Sequence, residues 1–110
     1  MAKIYFEKLD HLIKQLNLEP DIQQKTEVKH FFSGAALYID GKICASWSPT
    51  GLAFKLAIED VEKLINNRKA IPLKYFPKGH IKKDYAVFEL PEEKKPEYWK
   101  KYFMEAFKHA

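Results

Sequence analysis

The sequence predicts an α+β domain, a two-layer α-β(3)-α-β(2)-α chain whose antiparallel sheet is covered by helices. Three observations carry that prediction. Apolar residues recur at three- and four-residue spacing near both ends and once in the middle, the spacing of a helix that buries one face. Between these segments they fall instead into short runs bounded by Asp-Gly, Pro and Gly, as strands do. Most of the strand runs follow one another closely, and local connections of that kind favour antiparallel pairing.

The first helix is predicted over about residues 3–18, where Tyr5, Leu9, Leu12, Ile13 and Leu16 share a face. Lys3 with Glu7 and Asp10 with Lys14 form i,i+4 pairs outside it. Pro20 ends this helix and opens a polar connection through Thr26. Asp40-Gly41 then sits between the runs 35–39 and 43–47. It supplies the two positive-φ positions of a two-residue hairpin turn and is the strongest local signal in the chain. Ser48-Pro49-Thr50-Gly51 is the next turn, and Leu52, Phe54 and Leu56 alternate beyond it, giving a three-stranded meander with one buried face. Ile58, Val61, Leu64 and Ile65 return to helical spacing over about 58–67, with Ala57 unable to cap the start and Asn66-Asn67 breaking the end. Two further strands are expected near 71–76 and 85–90, joined through Pro77-Lys78-Gly79-His80. Pro96, a good first helical residue, opens a last helix to about 108. Trp99, Tyr102, Phe103, Ala106 and Phe107 give that helix an aromatic face, read as core; exposed rings there would instead suit a homodimer interface.

Composition bounds the function. The 110 residues are one domain's length, and 46% hydrophobic with 31% charged residues is a globular composition. The longest apolar run, residues 35–39, is far too short to span a bilayer, and the charged, alternating amino terminus does not read as an export signal. A single cysteine, Cys44, excludes an intramolecular disulfide and points to a reducing cytoplasm. The net charge is +4, but it is not evenly spread. Residues 63–83 hold seven basic residues (Lys63, Arg68, Lys69, Lys74, Lys78, Lys82, Lys83) and no acidic one, leaving twelve basic against fifteen acidic elsewhere. A local surplus of one sign attracts partners of the other.

The segment 31–45, with Phe31-Phe32-Ser33-Gly34 leading into Tyr38-Ile39-Asp40-Gly41-Lys42, resembles the glycine-to-YxDGK segment of the TfoX N-terminal domain family. Gly51-Leu52-Ala53-Phe54-Lys55-Leu56 and Leu73-Lys74-Tyr75-Phe76-Pro77-Lys78-Gly79 are similar to that family's second and third blocks, so the resemblance runs from about residue 31 to the end. It implies the same α-β(3)-α-β(2)-α order that periodicity gives. It also implies a short, single-domain bacterial protein with a regulatory or binding role, and it carries no catalytic residues over.

Chemistry-bearing patterns are few. Cys44 lies in a predicted strand and reads as a small buried filler; a redox thiolate there would need exposure and a nearby cation. Ser33 precedes Gly34 without the strand-to-helix elbow of a hydrolase serine. His11, His30, His80 and His109 show no metal-ligand spacing, and no metal or other cofactor is expected. Glu59-Asp60 and Glu92-Glu93 are adjacent in sequence, so their carboxylates point apart rather than converge. The four glycines form no phosphate-binding fingerprint. A non-enzymatic module is therefore expected, with an enclosed pocket of ionisable groups as the observation that would restore an enzyme.

What remains is the basic loop. Lys74, Tyr75, Lys78, His80, Lys82 and Lys83 interleave cations with an aromatic ring at a Pro/Gly turn. An acidic protein partner is the first expectation. Nucleic acid is the second, with lysines on phosphates and Tyr75 on a base, although the single arginine, Arg68, leaves little means of reading guanine. The plainest alternative is a solvated hairpin whose lysines keep a sheet edge from pairing with another.

Overall fold

A computed structural model describes residues 2–18, 25–31, 34–74 and 81–109. Helix α1 (Ala2–Leu16) leads into four successive strands, β1 (Thr26–Phe31), β2 (Gly34–Ile39), β3 (Lys42–Ser48) and β4 (Gly51–Lys55). Helix α2 (Ile58–Asn66) is followed by β5 (Ile71–Lys74) and β6 (Ile81–Phe88), then two 3-10 turns (Pro91–Glu93 and Pro96–Trp99) and helix α3 (Lys100–His109). The six strands form one antiparallel sheet in the order β1-β2-β3-β4-β6-β5. The α+β class holds, with one strand more than the sequence predicts.

The additional strand is β1, which begins at Thr26, where the expected polar connection ends. Its six residues include Glu27, Lys29 and His30, and only Thr26, Val28 and Phe31 are even half-buried, so no apolar run announces it. It is nonetheless fully paired with β2, from Thr26 opposite Ile39 to Phe31 opposite Gly34. The Lys29 ammonium lies 3.6 Å from Glu27 and 5.3 Å from the Tyr38 ring centroid. Charged groups along an outer strand discourage pairing with other sheets.

Strands β4 and β5 both run antiparallel to β6 and hence parallel to each other, with β6 between them. A hairpin cannot join parallel strands, which is why α2 intervenes as a crossover. No side chain caps the α2 amino terminus at Ala57, as its sequence implies. α1 ends before Pro20 is reached. Asn17 takes a left-handed φ of 56°, its N–H donates to the Lys14 carbonyl, and the Leu18 N–H donates to the Ile13 carbonyl, a Schellman closure that buries Leu18.

One face of the sheet carries the main core. Leu9, Leu12, Ile13 and Leu16 of α1, Val61 of α2, and Tyr102, Phe103 and Ala106 of α3 pack there on Leu37, Ile39, Trp47, Leu52, Phe54 and Phe88. A bulge adds one residue to that face: Leu37 pairs with Ala45 but Tyr38 pairs with Ile43, leaving Cys44 as the extra position of β3. Cys44 and Ala45 therefore both enter the main core. The expectation of a single buried face needs correcting. On the reverse side Ala53, Leu73, Tyr85 and Val87 form a second buried cluster against Ile43, and Ala36 and Ser46 are buried as well. Strict alternation hides this, because small residues on a strand read as solvent-facing while taller neighbours cover them.

Candidate functional site

The sheet register places the predicted basic positions at one end. Leu73 pairs with Lys82 and Lys74 with Ile81, so residues 74 and 82 lie where β5 ends and β6 begins, next to exposed Lys83. Tyr75, Lys78 and His80 lie outside the described residues. Following the register across the sheet, Lys55 pairs with Tyr85 at the end of β4, Lys42 starts β3 opposite Ile39, and Lys25 precedes β1. Lys25 and Lys42 are exposed and Lys55 is half-buried. Six lysines from four separate stretches of sequence thus share this end of the sheet. The carboxylates of Asp40, which accepts the Lys25 backbone N–H at 3.2 Å, and half-buried Asp84 lie among them. In the helix layer the first turn of α2 adds Glu59 and Asp60.

The basic run 63–83 is not one ridge. Ile71 pairs with Val87, so Arg68 and Lys69 sit at the opposite end of β5 from residue 74. There they line a hollow of about 290 Å³ together with Phe88, Glu89, Glu93 and Tyr98. Proximity in sequence groups these cations; β5 separates them. Conversely, Lys25, Lys42 and Lys55 join the hairpin end without any sequence signal.

The end of the sheet where α1, the β3–β4 turn and the β6–α3 connection meet holds a feature the sequence does not show. Lys8 donates to Glu92 Oε2 at 3.0 Å, and its ammonium stands 5.7 Å from the ring centroids of both Tyr5 and Trp47. The hydrogen bond from Lys8 holds the Glu92 carboxyl below the ordinary carboxylate range. Two hollows share Lys8, Trp47, Pro91 and Glu92 as a common wall. One, of about 370 Å³, opens over the β3–β4 turn and Leu90. The other, of about 280 Å³, runs between α1 and the second 3-10 turn, down to Leu12 and Trp99. Leu90 sits at φ 52°, and it is the most exposed large apolar side chain described. A left-handed conformation in a residue other than glycine is strained, and Pro91 immediately after it favours extended backbone instead, so the surrounding fold must hold Leu90 there. Eighty-four residues separate Lys8 from Glu92, so no motif spacing could reveal the pair.

The remaining candidates are structural. Cys44 is fully buried, its thiol faces the Leu37 carbonyl at 3.4 Å, and burial pushes its pKa from 9.0 up to about 12. Such a thiol stays protonated and inert. An aromatic disulfide reagent at about pH 8 is expected to leave folded Cys44 intact and to label it only as the protein opens. Rapid labelling without denaturant would place the thiol at the surface. Burial, with a hydrogen bond to Tyr98, likewise raises the Tyr102 phenol to about 12. Both groups ionise more readily in the open chain, so their contribution to stability is intact below about pH 9 and lost as pH rises toward 12. Trp99, Tyr102, Phe103 and Ala106 are buried and Phe107 is half-buried against the same cluster, so the aromatic face of the last helical segment is core, as its spacing predicts. His30 is stacked on Phe6 at 4.8 Å, and among the described residues no three His, Cys, Asp or Glu side chains converge on a metal position. No described helix is long and apolar enough to cross a membrane.

These features define a small α+β domain with a lysine-rich sheet end and, at the other end, a cation held among aromatic rings. Comparison of the chain with protein-family models, with curated proteins and with solved structures finds no match.

Proposed function

We propose that this protein is a small interaction module, of the regulatory kind implied by the resemblance of the chain from about residue 31 onward to the TfoX N-terminal domain. Its lysine-rich sheet end would receive an acidic protein surface. The observation that carries this reading is the gathering of Lys25, Lys42, Lys55 and Lys83 with backbone positions 74 and 82 at one end of the sheet. Lysines there raise the encounter rate with an anionic partner and set its orientation more than they add raw affinity. A lone buried thiol is at home in a reducing cytoplasm, where this module would work.

The test is anisotropy with two labelled probes, a deca-glutamate peptide and a short DNA duplex, at about 50 and 200 mM salt, where screening differs clearly. The peptide is expected to bind at low salt. Lys55→Gln and Lys83→Gln, and separately Lys74→Ala and Lys82→Ala, are each expected to weaken it about two- to fivefold. Lys108→Ala on α3, whose ammonium already lies 3.5 Å from Glu105, is the charge control and is expected to change nothing. Duplex binding with a log–log salt slope near about −3.6, the value for four neutralised phosphates, would replace the protein partner with nucleic acid. Failure of both probes to bind at low salt would overturn the reading.

A further inference from the structure

We propose that the hollow between α1 and the second 3-10 turn is a binding site for a small aromatic carboxylate, with Lys8 receiving the carboxylate and Trp47 and Trp99 receiving the ring. This site is independent of the lysine-rich sheet end and lies at the opposite end of the sheet.

Three observations select that ligand class. The first is charge. Lys8 and Lys94 line the hollow against one carboxylate, Glu92, so the positive charges outnumber the negative. The second is the floor. Leu12, Trp47 and Trp99 make it apolar, and aromatic walls favour a flat apolar body in offset or edge contact. The third is size. About 280 Å³ lies at the small end of ligand pockets, enough for one ring and a short acidic tail.

The Lys8–Glu92 bridge shows how a carboxylate is held there. Lys8 Nζ already holds a carboxylate oxygen at 3.0 Å while standing 5.7 Å from the Tyr5 and Trp47 ring centroids, so charge and aromatic surface meet at one place. Glu92 retains 57% of its side-chain exposure, so a ligand carboxylate can take its place on Lys8 while Glu92 turns to water at little cost. Glu92 therefore acts as a resident competitor. Removing its charge should tighten ligand binding, an effect that a merely structural ion pair would not produce.

The chain provides its own reporters. It contains two tryptophans, and both line this hollow. In a proton–nitrogen correlation spectrum their two indole N–H signals read the site directly. Titration with 3-phenylpropionate is expected to shift both signals saturably, with a Kd on the order of 1 mM for a ligand of this size. The neutral analogue 3-phenylpropanol is expected to bind at least about tenfold more weakly, the loss of one charged hydrogen bond. Lys8→Met keeps an unbranched apolar stem between the rings and should lose about tenfold for the carboxylate but little for the alcohol. Glu92→Gln, at an exposed position, should gain several-fold. The backbone amide spectrum of each variant reports whether it is folded. Shifts that stay linear to about 20 mM probe, well beyond the expected Kd, would overturn the proposal. So would equal affinity for the alcohol, or unchanged affinity in both variants. Tighter binding by more than tenfold of a Gly-Gly-Phe tripeptide would assign the site to a peptide carboxyl terminus and overturn the small-molecule reading.

Discussion

Gly51→Ala is expected to cost at least about 3 kcal/mol, whereas Gly41→Ala costs only about 1 kcal/mol. Both glycines have positive φ, 134° at Gly51 and 82° at Gly41, so both substitutions meet backbone strain. Their surroundings separate them. A Cβ at residue 41 would meet nothing within 4 Å, while at residue 51 it would run into the Phe88 carbonyl and the Val87 side chain. Backbone cannot rotate out of the way as a side-chain tip can, so the end of β6 must move. That displacement would reach Glu89 and Leu90, which line the same hollow as Gly51. Urea unfolding measures the difference. With a slope of about 1–3 kcal/mol/M, the Gly51 variant should lose roughly 1 M or more from its midpoint, and the Gly41 variant distinctly less. Equal losses would mean that the close approach of β4 to the end of β6 does not exist in solution.

Much of the fold is legible in the sequence because most elements carry the period of their own geometry. Asp40-Gly41 marks a hairpin on chemistry alone, and both residues do take positive φ. Leu9, Leu12, Ile13 and Leu16 fix the buried face of α1, and Val61 that of α2. The failures have physical causes. β1 is an outer strand with no fully buried residue, so it lacks the apolar signal by which strands are found. The bulge at Cys44 breaks the two-residue period, and one added residue moves a side chain to the other face. Pro96 does begin a helical segment, but its first turn is 3-10 through Trp99 before α3 proper starts.

The candidate site is less legible, and for a different reason. Charge is visible in sequence only as a run, and a run maps onto a surface only when the chain does not turn back. Between Lys69 and Lys74 the chain crosses the length of β5, which divides the run in two. Lys42 and Lys55 reach the hairpin end through strand register, a property of pairing rather than of spacing. Lys8 and Glu92 meet only because α1 and the β6–α3 connection cover the same end of the sheet. In the sequence Lys8 is an ordinary charged position on an amphipathic helix.

Phe54→Ala is expected to remove about 3–5 kcal/mol, a large part of the 5–15 kcal/mol by which domains of this size are stable. Phe54 is fully buried at the point where the helix layer meets the sheet centre. Its ring centroid lies 4.8 Å from Phe103, 5.7 Å from Tyr102, and 6.0 Å from both Phe88 and Trp99. Four rings from β6, α3 and the second 3-10 turn thus lean on one side chain of β4, and none can fill its space without leaving the others. The melting temperature should fall by roughly 15 °C or more. Phe107→Ala, at a half-buried position on the rim of the same cluster, should cost only about 1 kcal/mol. The deletion should also be non-additive with Phe103→Leu, with a coupling energy above about 0.5 kcal/mol, because the two rings are in direct contact. Trp99 loses its stacked neighbour in this variant, so its fluorescence should report the loosening even where the chain remains folded. Should Phe54→Ala prove no worse than Phe107→Ala, these rings would not form the centre of the core. The floor of the hollow beneath Lys8 would then lack the rigid backing that Phe54 gives Trp99.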